Sequence, residues 1–299
     1  MSATKTSISW TDASWNPVRG CSRVSTGCEY CYAEAMAGRF SGPGKPYEGL
    51  VRKTSQGFKW TGEVRLIEED LELPLHWKKP RRIFVNSMSD LFHAGVEDLW
   101  LLRIFNVMRQ CPQHIFQILT KRPERMADFC QRLRFDSNYY AKRPRHLSLE
   151  LRTTGSSVLW LSDSPDGSGY RLMGGNGCSD MPWVWTGVSV ENQATANERI
   201  PWLLRTPAAV RFLSCEPLLQ PILLREWIDG NYSTGTRLDW VICGGESGSR
   251  ARPCHIDWLR SIRDQCQDAK ISCWVKQLGS KPFNEYPPTQ RFKDQKGAD

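Results

Sequence analysis

The sequence contains no long hydrophobic run, no internal repeat and no heptad array. No stretch of eighteen apolar residues occurs in its 299 residues, whereas a membrane-spanning helix needs about twenty. Residues 1–10 also lack the basic and apolar regions of a secretory signal. These absences argue against a membrane-spanning protein, an exported protein, a solenoid and a coiled coil. We therefore expect a cytoplasmic protein with no membrane partner.

A fourth cysteine close to the only cysteine cluster is also missing. The chain has eleven cysteines, of which Cys21, Cys28 and Cys31 form a short cluster. In a reducing compartment such thiols are more readily metal ligands than disulfides. Structural zinc is normally closed by four ligands, whereas a four-iron cluster on three cysteines keeps one iron open. We expect the remaining eight to pack as small hydrophobic side chains: Cys111, Cys130, Cys178, Cys215, Cys243, Cys254, Cys266 and Cys273.

Acidic residues are outnumbered by basic ones, which gives a formal net charge of +8. Basic tracts occur at 78–82, 121–122 and 142–145. A positive balance favours a polyanionic partner such as nucleic acid. The same tracts could also be ordinary solvated surface. We interpret the charge as favouring a nucleic acid or nucleotide partner.

Short β-rich apolar runs alternate with longer amphipathic segments, which is typical of parallel βα units. Apolar periodicity predicts helices after the cysteines at 32–37 and then at 99–109, 123–133, 194–204 and 256–267. An early strand is expected within 8–16. The other predicted strands are 82–86, 115–119, 184–190, 210–215, 240–243 and 271–275. The pattern predicts an α/β fold whose main domain covers residues 1–281.

Two segments depart from this alternation. Residues 135–182 are rich in serine and glycine and are predicted to be an insertion or lid, since long loops in compact domains are commonly functional. Residues 282–299 are predicted to be a polar C-terminal tail. Neither segment carries the strand and helix pattern of the domain.

Polar clusters follow most of the predicted strands. They lie at 86–90, 120–122, 189–192, 214–217 and 244–248. In a barrel of parallel strands the C-terminal strand ends assemble one site, so we expect these clusters to share a pocket with the cysteines. Each cluster alone could equally be a helix cap or a turn.

Cys28-Glu29-Tyr30-Cys31 resembles the end of the radical S-adenosylmethionine (SAM) superfamily motif, in which an aromatic residue precedes the last cysteine. The six residues between Cys21 and Cys28 form a longer gap than the usual motif has. More narrowly, the chain is similar to a phage-associated three-cysteine-motif family that is regarded as radical-SAM-like. That similarity is carried by segments 10–17, 20–21, 27–34, 85–92, 119–123, 187–192, 214–218 and 244–248.

The resemblance implies a partial (β/α)6-type parallel barrel of radical SAM type. Cys21, Cys28 and Cys31 would bind a [4Fe-4S] cluster that is reduced by an external one-electron donor. Electron transfer to SAM would then release methionine and a 5′-deoxyadenosyl radical, which abstracts a hydrogen atom from the substrate. We expect this substrate to be a nucleic acid base or nucleotide that is modified, rearranged or repaired.

The resemblance and the strand-end chemistry together assign expected binding roles. Tyr30 would lie against the adenine. For the methionine amino group, hydroxyl and carboxylate acceptors are available at Ser87, Ser89 and Asp90. The ribose or the methionine carboxylate would meet Ser189, Glu191 and Asn192, and SAM would approach closely at Gly244, Gly245 and Glu246. Phosphate or carboxylate contacts to the substrate are expected from Lys121, Arg122, Arg250 and Arg252.

Two other interpretations of the cysteine cluster remain open. The first is a zinc-binding module in which Cys254 or His255 completes a tetrahedron, although no second closely spaced ligand pair exists in the sequence. The second is a nucleic-acid-binding protein whose metal or cluster is structural and which does not turn SAM over.

Overall fold

A computed structural model of the chain describes residues 6–135, 149–152, 158–161, 181–229 and 236–284. Its centre is one seven-stranded sheet in which every strand is parallel to its neighbours and the spatial order equals the chain order. The strands are β1 (Ala13–Trp15), β2 (Arg82–Val85), β3 (Ile115–Thr120), β4 (Val184–Ser189), β5 (Val210–Cys215), β6 (Trp240–Gly244) and β7 (Ser272–Gln277). All seven C-terminal ends therefore lie along the same edge of the sheet.

Five helices of eight residues or more accompany the sheet in the described residues. They are α1 (Tyr32–Arg39), α2 (Asp98–Arg109), α3 (Pro123–Arg132), α4 (Gln193–Arg205) and α5 (Ile256–Asp268). One large apolar core contains residues of the four helices α2, α3, α4 and α5. These residues pack against outward-facing strand residues such as Ile83, Phe116 and Val241. Because helices cover this face, the strands are buried on it and read as nearly continuous apolar runs.

The opposite face of the sheet is concave, which is shown by the contacts of Trp10. Its ring centroid lies 4.8 Å from that of Phe84 on β2 and 6.3 Å from that of Phe212 on β5. In a flat sheet those two strands would be about 14 Å apart, since neighbouring strands are spaced by about 4.8 Å. The sheet therefore curls around Trp10 into a half-barrel.

Gly187 of β4 marks the tightest part of this concave face. A Cβ atom at this position would lie 2.6 Å from the Phe212 ring. Phe84, Phe212, Ile242 and Trp10 form a small apolar cluster there, separate from the large core. This cluster fills part of the concave face, and polar side chains follow it toward the C-terminal ends of the strands.

The predicted α/β class and the alternation of parallel strands and helices are confirmed. Six units were expected, and the structure shows a curled half-barrel of seven strands. In the described part of the link from β5 to β6, the helix is the four-residue Arg225–Ile228. Within the predicted insertion, the described residues are its two ends and the strands Leu149–Arg152 and Val158–Leu161, which form an antiparallel sheet with Leu133–Phe135. Most of the insertion and residues 285–299 of the tail lie outside the described residues.

Smaller elements lie at the ends of the half-barrel. A hairpin joins Val51–Thr54 to Gly57–Trp60, and Val18–Arg19 pairs with Arg65–Leu66. Cys254–His255 pairs with Pro282–Phe283. Short helical turns occur at Thr26–Cys28, Glu68–Leu71 and Leu73–His76. Among the described residues, no helix combines the length and hydrophobicity needed to cross a membrane.

Candidate metal centre and the surrounding cavity

A cavity of about 510 Å³ lies at the C-terminal ends of the strands. Cys21, Cys28 and Cys31 all line it, and none of them forms a disulfide. The opposite walls are formed by polar side chains that leave the ends of β2 to β5, including Asn86 and Ser189. The structure thus brings the three clustered thiols into the pocket that the strand-end pattern predicts.

The loop that carries the thiols depends on glycine at its start. Gly20 has a φ of 94° and pairs with Ser89 in a parallel bridge. A Cβ atom there would overlap the carbonyl oxygen of Glu63, so no other residue fits without displacing the backbone. Cys28 ends the short helical turn Thr26–Cys28, and Cys31 directly precedes α1.

The environments of Cys21 and Cys31 disfavour an isolated thiolate. Burial, reinforced by the negative charge of Asp90, raises the pKa of Cys21 to about 12, against the opposing effect of Arg122. Burial also raises the pKa of Cys31, although the backbone N–H groups of Glu34 and Ala33 at the start of α1 act in the opposite direction. A bound metal ion deprotonates its thiol ligands, because its positive charge stabilises the thiolates. These buried thiols therefore need such a positive charge nearby in order to ionise.

The donor set fits a thiophilic metal centre. Three thiols suit iron in a cluster or zinc, and Ser25 in the same loop has a buried hydroxyl with no hydrogen-bond partner among the described residues. No three cysteine, histidine or acidic side chains in the described parts of the chain already converge as metal ligands. The thiols would therefore have to turn about their side-chain torsions to reach a common ion or cluster.

Glu191 holds the middle of the cysteine loop. It is 1% exposed, and its carboxylate accepts a hydrogen bond of 3.2 Å from the backbone N–H of Gly27. Arg199 of α4 pairs with the same carboxylate at 3.1 Å and also donates to the carbonyl of Ser189. A Cβ at Gly27 would lie 3.0 Å from the Glu191 carboxylate carbon. Glu191 is thus placed to position the loop, and it does not line the cavity.

Two more acid–base pairs contact the same loop from other strand ends. Asp90 accepts four hydrogen bonds, from the N–H groups of Phe92 and Lys121, from Thr120 and from Arg122. Arg122 in turn donates to the carbonyl and hydroxyl oxygens of Ser22. Both Asp90 oxygens are therefore already engaged by the protein.

The third pair is formed by Glu246 and Arg252. Arg252 donates to both carboxylate oxygens of Glu246 at 2.6 and 2.9 Å and to the carbonyl oxygen of Thr26. The guanidinium carbons of Arg250 and Arg252 each lie 5.2 Å from the centre of the Tyr30 ring. Glu246 and Tyr30 line the cavity, whereas the two arginines support the loop behind them.

The remaining predicted SAM-binding residues divide into two groups. Ser87 and Ser89 line the cavity, and their hydroxyls donate to Asn16 Oδ1 and to the carbonyl of Val18. Asn192 is the N-cap of α4, where its side chain accepts from the N–H of Thr195 in a capping box. A Cβ at Gly244 or Gly245 would crowd the backbone of β7 and the residues after it. The second group, Asn192 and the two glycines, does not line the cavity.

Lys121 and Ser189 line the cavity side by side, and the Lys121 ammonium donates to the Ser189 hydroxyl at 3.0 Å. Close by, Lys276 Nζ lies 2.8 and 2.9 Å from the two oxygens of Glu216. Asn86 is 2% exposed with a left-handed φ of 59°, and its Nδ2 has no partner among the described residues. These groups offer donors and acceptors to a small polar ligand.

Sequence reasoning missed Glu216, Lys276 and Asn86 as cavity residues. The strand-end clusters at 86–90 and 214–217 contained two of them, but sequence gave no reason to prefer them over their neighbours. Lys276 lies at the end of β7, one residue beyond the predicted strand 271–275. Its position 60 residues from Glu216 hides their pairing from any local pattern.

The suggested fourth zinc ligands lie elsewhere. Cys254 and His255 are both buried, and neither lines the cavity that holds the three thiols. His255 precedes α5, and the centroid of its ring lies 4.7 Å from that of the Phe283 ring. The other cysteines in the described residues are buried except for half-buried Cys273, as expected for packing roles, and Cys178 lies outside those residues.

The chain belongs to a protein family of unknown function, DUF5131, whose model matches residues 5–298. The family description assigns no activity. No curated protein and no solved structure gives a significant match to the chain. The function must therefore be argued from the half-barrel and its cavity.

Proposed function

We propose that this protein is a radical SAM enzyme whose substrate is a nucleic acid base or nucleotide. The observation that carries the proposal is the placement of three clustered thiols in one cavity at the C-terminal ends of a curled parallel sheet. The thiols leave a coordination position open, and the strand ends supply polar groups around it. Both features agree with the resemblance of the cysteine motif to the radical SAM superfamily.

Cys21, Cys28 and Cys31 are the residues that would hold a [4Fe-4S] cluster. When bound, the cluster supplies the electron that cleaves SAM to methionine and a 5′-deoxyadenosyl radical. The protein provides position, electrostatics and exclusion of water. Glu191, the Asp90–Arg122 pair and the Glu246–Arg252 pair hold the loop at three points.

The charges of the cavity suit the amino-acid end of SAM. Three basic and three acidic side chains line it: Lys121, Arg122, Lys276, Asp90, Glu216 and Glu246. Such balance fits a zwitterion better than a purely anionic ligand. Lys121 and Ser189 are placed to bind the carboxylate of SAM, and Asn86 Nδ2 is an available donor. Glu216, which pairs with Lys276, would also accept from the amino group of SAM. Tyr30 and Tyr32 offer aromatic faces to the adenine.

Anaerobic purification and reconstitution with iron and sulfide test the metal centre. The proposal expects a brown protein with about four iron and four sulfide atoms per chain. Reduced protein given SAM should produce 5′-deoxyadenosine, detected by liquid chromatography. A colourless protein with one tightly bound zinc would contradict the proposal. A brown protein that never cleaves SAM, with or without nucleic acid, would favour a structural cluster in a nucleic-acid-binding protein.

Single cysteine substitutions identify the ligands. Cys21→Ala, Cys28→Ala and Cys31→Ala should each lose most cluster iron, because two thiols hold a four-iron cluster poorly. Cys111→Ala is the matched control, since Cys111 is a buried thiol of the apolar core outside the cavity. Loss of iron in Cys111→Ala, or its retention in all three loop variants, would show that the wrong thiols were assigned.

A further inference from the structure

A second cavity of about 430 Å³ lies beside the metal-binding cavity. It is formed by the hairpin Val51–Thr54 and Gly57–Trp60 together with the cysteine loop. Ser22 and Trp60 line both cavities, so the two are adjacent. We call this second cavity the basic pocket.

The charged residues of the basic pocket are three cations and one anion. Arg23, Arg52 and Lys59 face a single carboxylate, Glu34, which leaves a net charge of +2. Glu34 is already saturated, because Arg23 donates to both of its oxygens and the N–H of Trp60 donates to one. Lys59 reaches it only at 3.9 Å. The pocket therefore holds uncompensated positive charge.

The hairpin places two of these cations directly opposite each other. Arg52 and Lys59 are cross-strand partners in the antiparallel register, and like charges in such pairs are destabilising. The side chain of Arg52 is exposed and makes no hydrogen bond or ion pair with the described residues. An anion bound between the two side chains would relieve the repulsion.

We propose that the basic pocket binds a phosphate group of the nucleic acid or nucleotide substrate. This inference rests on the proposed function, because it takes the neighbouring cavity as the place where the base reacts. Arg52 and Lys59 would contact the phosphate oxygens, with the guanidinium able to bind two of them at once. Trp60 lines both cavities and so connects the two sites.

Salt-dependent binding of a fluorescently labelled single-stranded DNA oligonucleotide tests the pocket. For single strands, each phosphate contact contributes about 0.7 to the slope of log K against log salt concentration. Arg52→Ala and Lys59→Ala should each lower the slope by about that amount and weaken binding. Iron content and circular dichroism check that the variants are folded.

Lys53→Ala is the matched control. Lys53 is an exposed cation on the same strand, opposite Phe58 and on the face turned away from the basic pocket. Removing it deletes the same charge, so the slope should stay at the wild-type value. Equal effects of Lys53→Ala and Arg52→Ala, or no effect of Arg52→Ala and Lys59→Ala, would overturn the proposal.

Two further arms separate the possible outcomes. Affinity that rises from a nucleoside monophosphate to the oligonucleotide identifies a polymer as the source of the phosphate, and equal affinity identifies a free nucleotide. SAM cleavage without phosphate binding at Arg52 would overturn this inference alone. Phosphate binding by a protein that never cleaves SAM would contradict the proposed function and leave the pocket standing.

Discussion

At the scale of single residues, the acidic side chains around the cysteine loop act in pairs with arginines. Asp90, Glu191 and Glu246 are all nearly buried, and each has an arginine within 3.1 Å or less. A buried carboxylate without such a partner would be costly. Their first visible role is therefore to position the loop, and any contact with SAM would come in addition.

Glu191→Ala should be strongly destabilising. It would leave the Arg199 guanidinium buried without its partner, and removal of one member of a buried pair costs about 3–5 kcal/mol. It would also remove the acceptor for the Gly27 N–H, so cluster iron should fall as well. Urea unfolding at neutral pH measures the free energy of unfolding.

Glu68→Ala is the control for that measurement. Glu68 pairs with Arg103 on the surface, and its side chain is 63% exposed. Exposed pairs contribute little because water and salt screen them, so the midpoint of unfolding should stay close to that of the parent protein. Similar losses for the two variants would contradict the positioning role assigned to Glu191.

At the scale of elements, periodicity predicted the strands and helices of the half-barrel well. The strand Val210–Cys215 has the bounds expected from sequence, and the other predicted strands and helices overlap those observed. The hairpin Val51–Thr54 and Gly57–Trp60 was not predicted, since each strand has only four residues and the first contains a single apolar residue, Val51. The basic pocket depends on this hairpin and was therefore invisible in the sequence.

Asn192 follows a strand and precedes a helix, so its side chain could either bind a ligand or cap the helix. It was expected at the SAM ribose or carboxylate, and in the structure it caps α4. Asn192→Ala should cost about 1 kcal/mol of stability through loss of the cap. Asn192→Asp keeps a capping oxygen and should retain most of that stability. If Asn192→Asp instead unfolds as readily as Asn192→Ala in urea, the cap is not what this side chain supplies.

A substitution at Gly187 would test the close packing between β4 and β5 on the concave face of the sheet. Gly187→Ala should destabilise the protein by about 1–3 kcal/mol, because the added methyl group overpacks against the Phe212 ring. The double variant Gly187→Ala, Phe212→Leu should lose less than the sum of the two single losses. Strict additivity in thermal or urea unfolding would mean that a side chain at position 187 does not contact the Phe212 ring.

At the scale of the whole molecule, the cavity is assembled from residues that are far apart in sequence. Lys276 and Glu216 meet because β5 and β7 end at the same edge, and Glu191 reaches Gly27 across 164 positions. Sequence could indicate which strand ends are polar, but the pairs form only once the sheet has curled. Trp10 and Phe84 of the apolar cluster line the same cavity as the thiols.

Binding in this cavity should make stability depend on SAM. A ligand that binds only the folded state at one hundred times its Kd adds about 2.7 kcal/mol, which for a domain of this size raises Tm by about 4–5 °C. Reconstituted protein should show this rise by differential scanning fluorimetry under anaerobic conditions. The rise should shrink in Cys21→Ala and be absent with an equimolar mixture of methionine and adenosine, which lacks the sulfonium link. An equal rise in Cys21→Ala would mean that SAM binds independently of the metal centre.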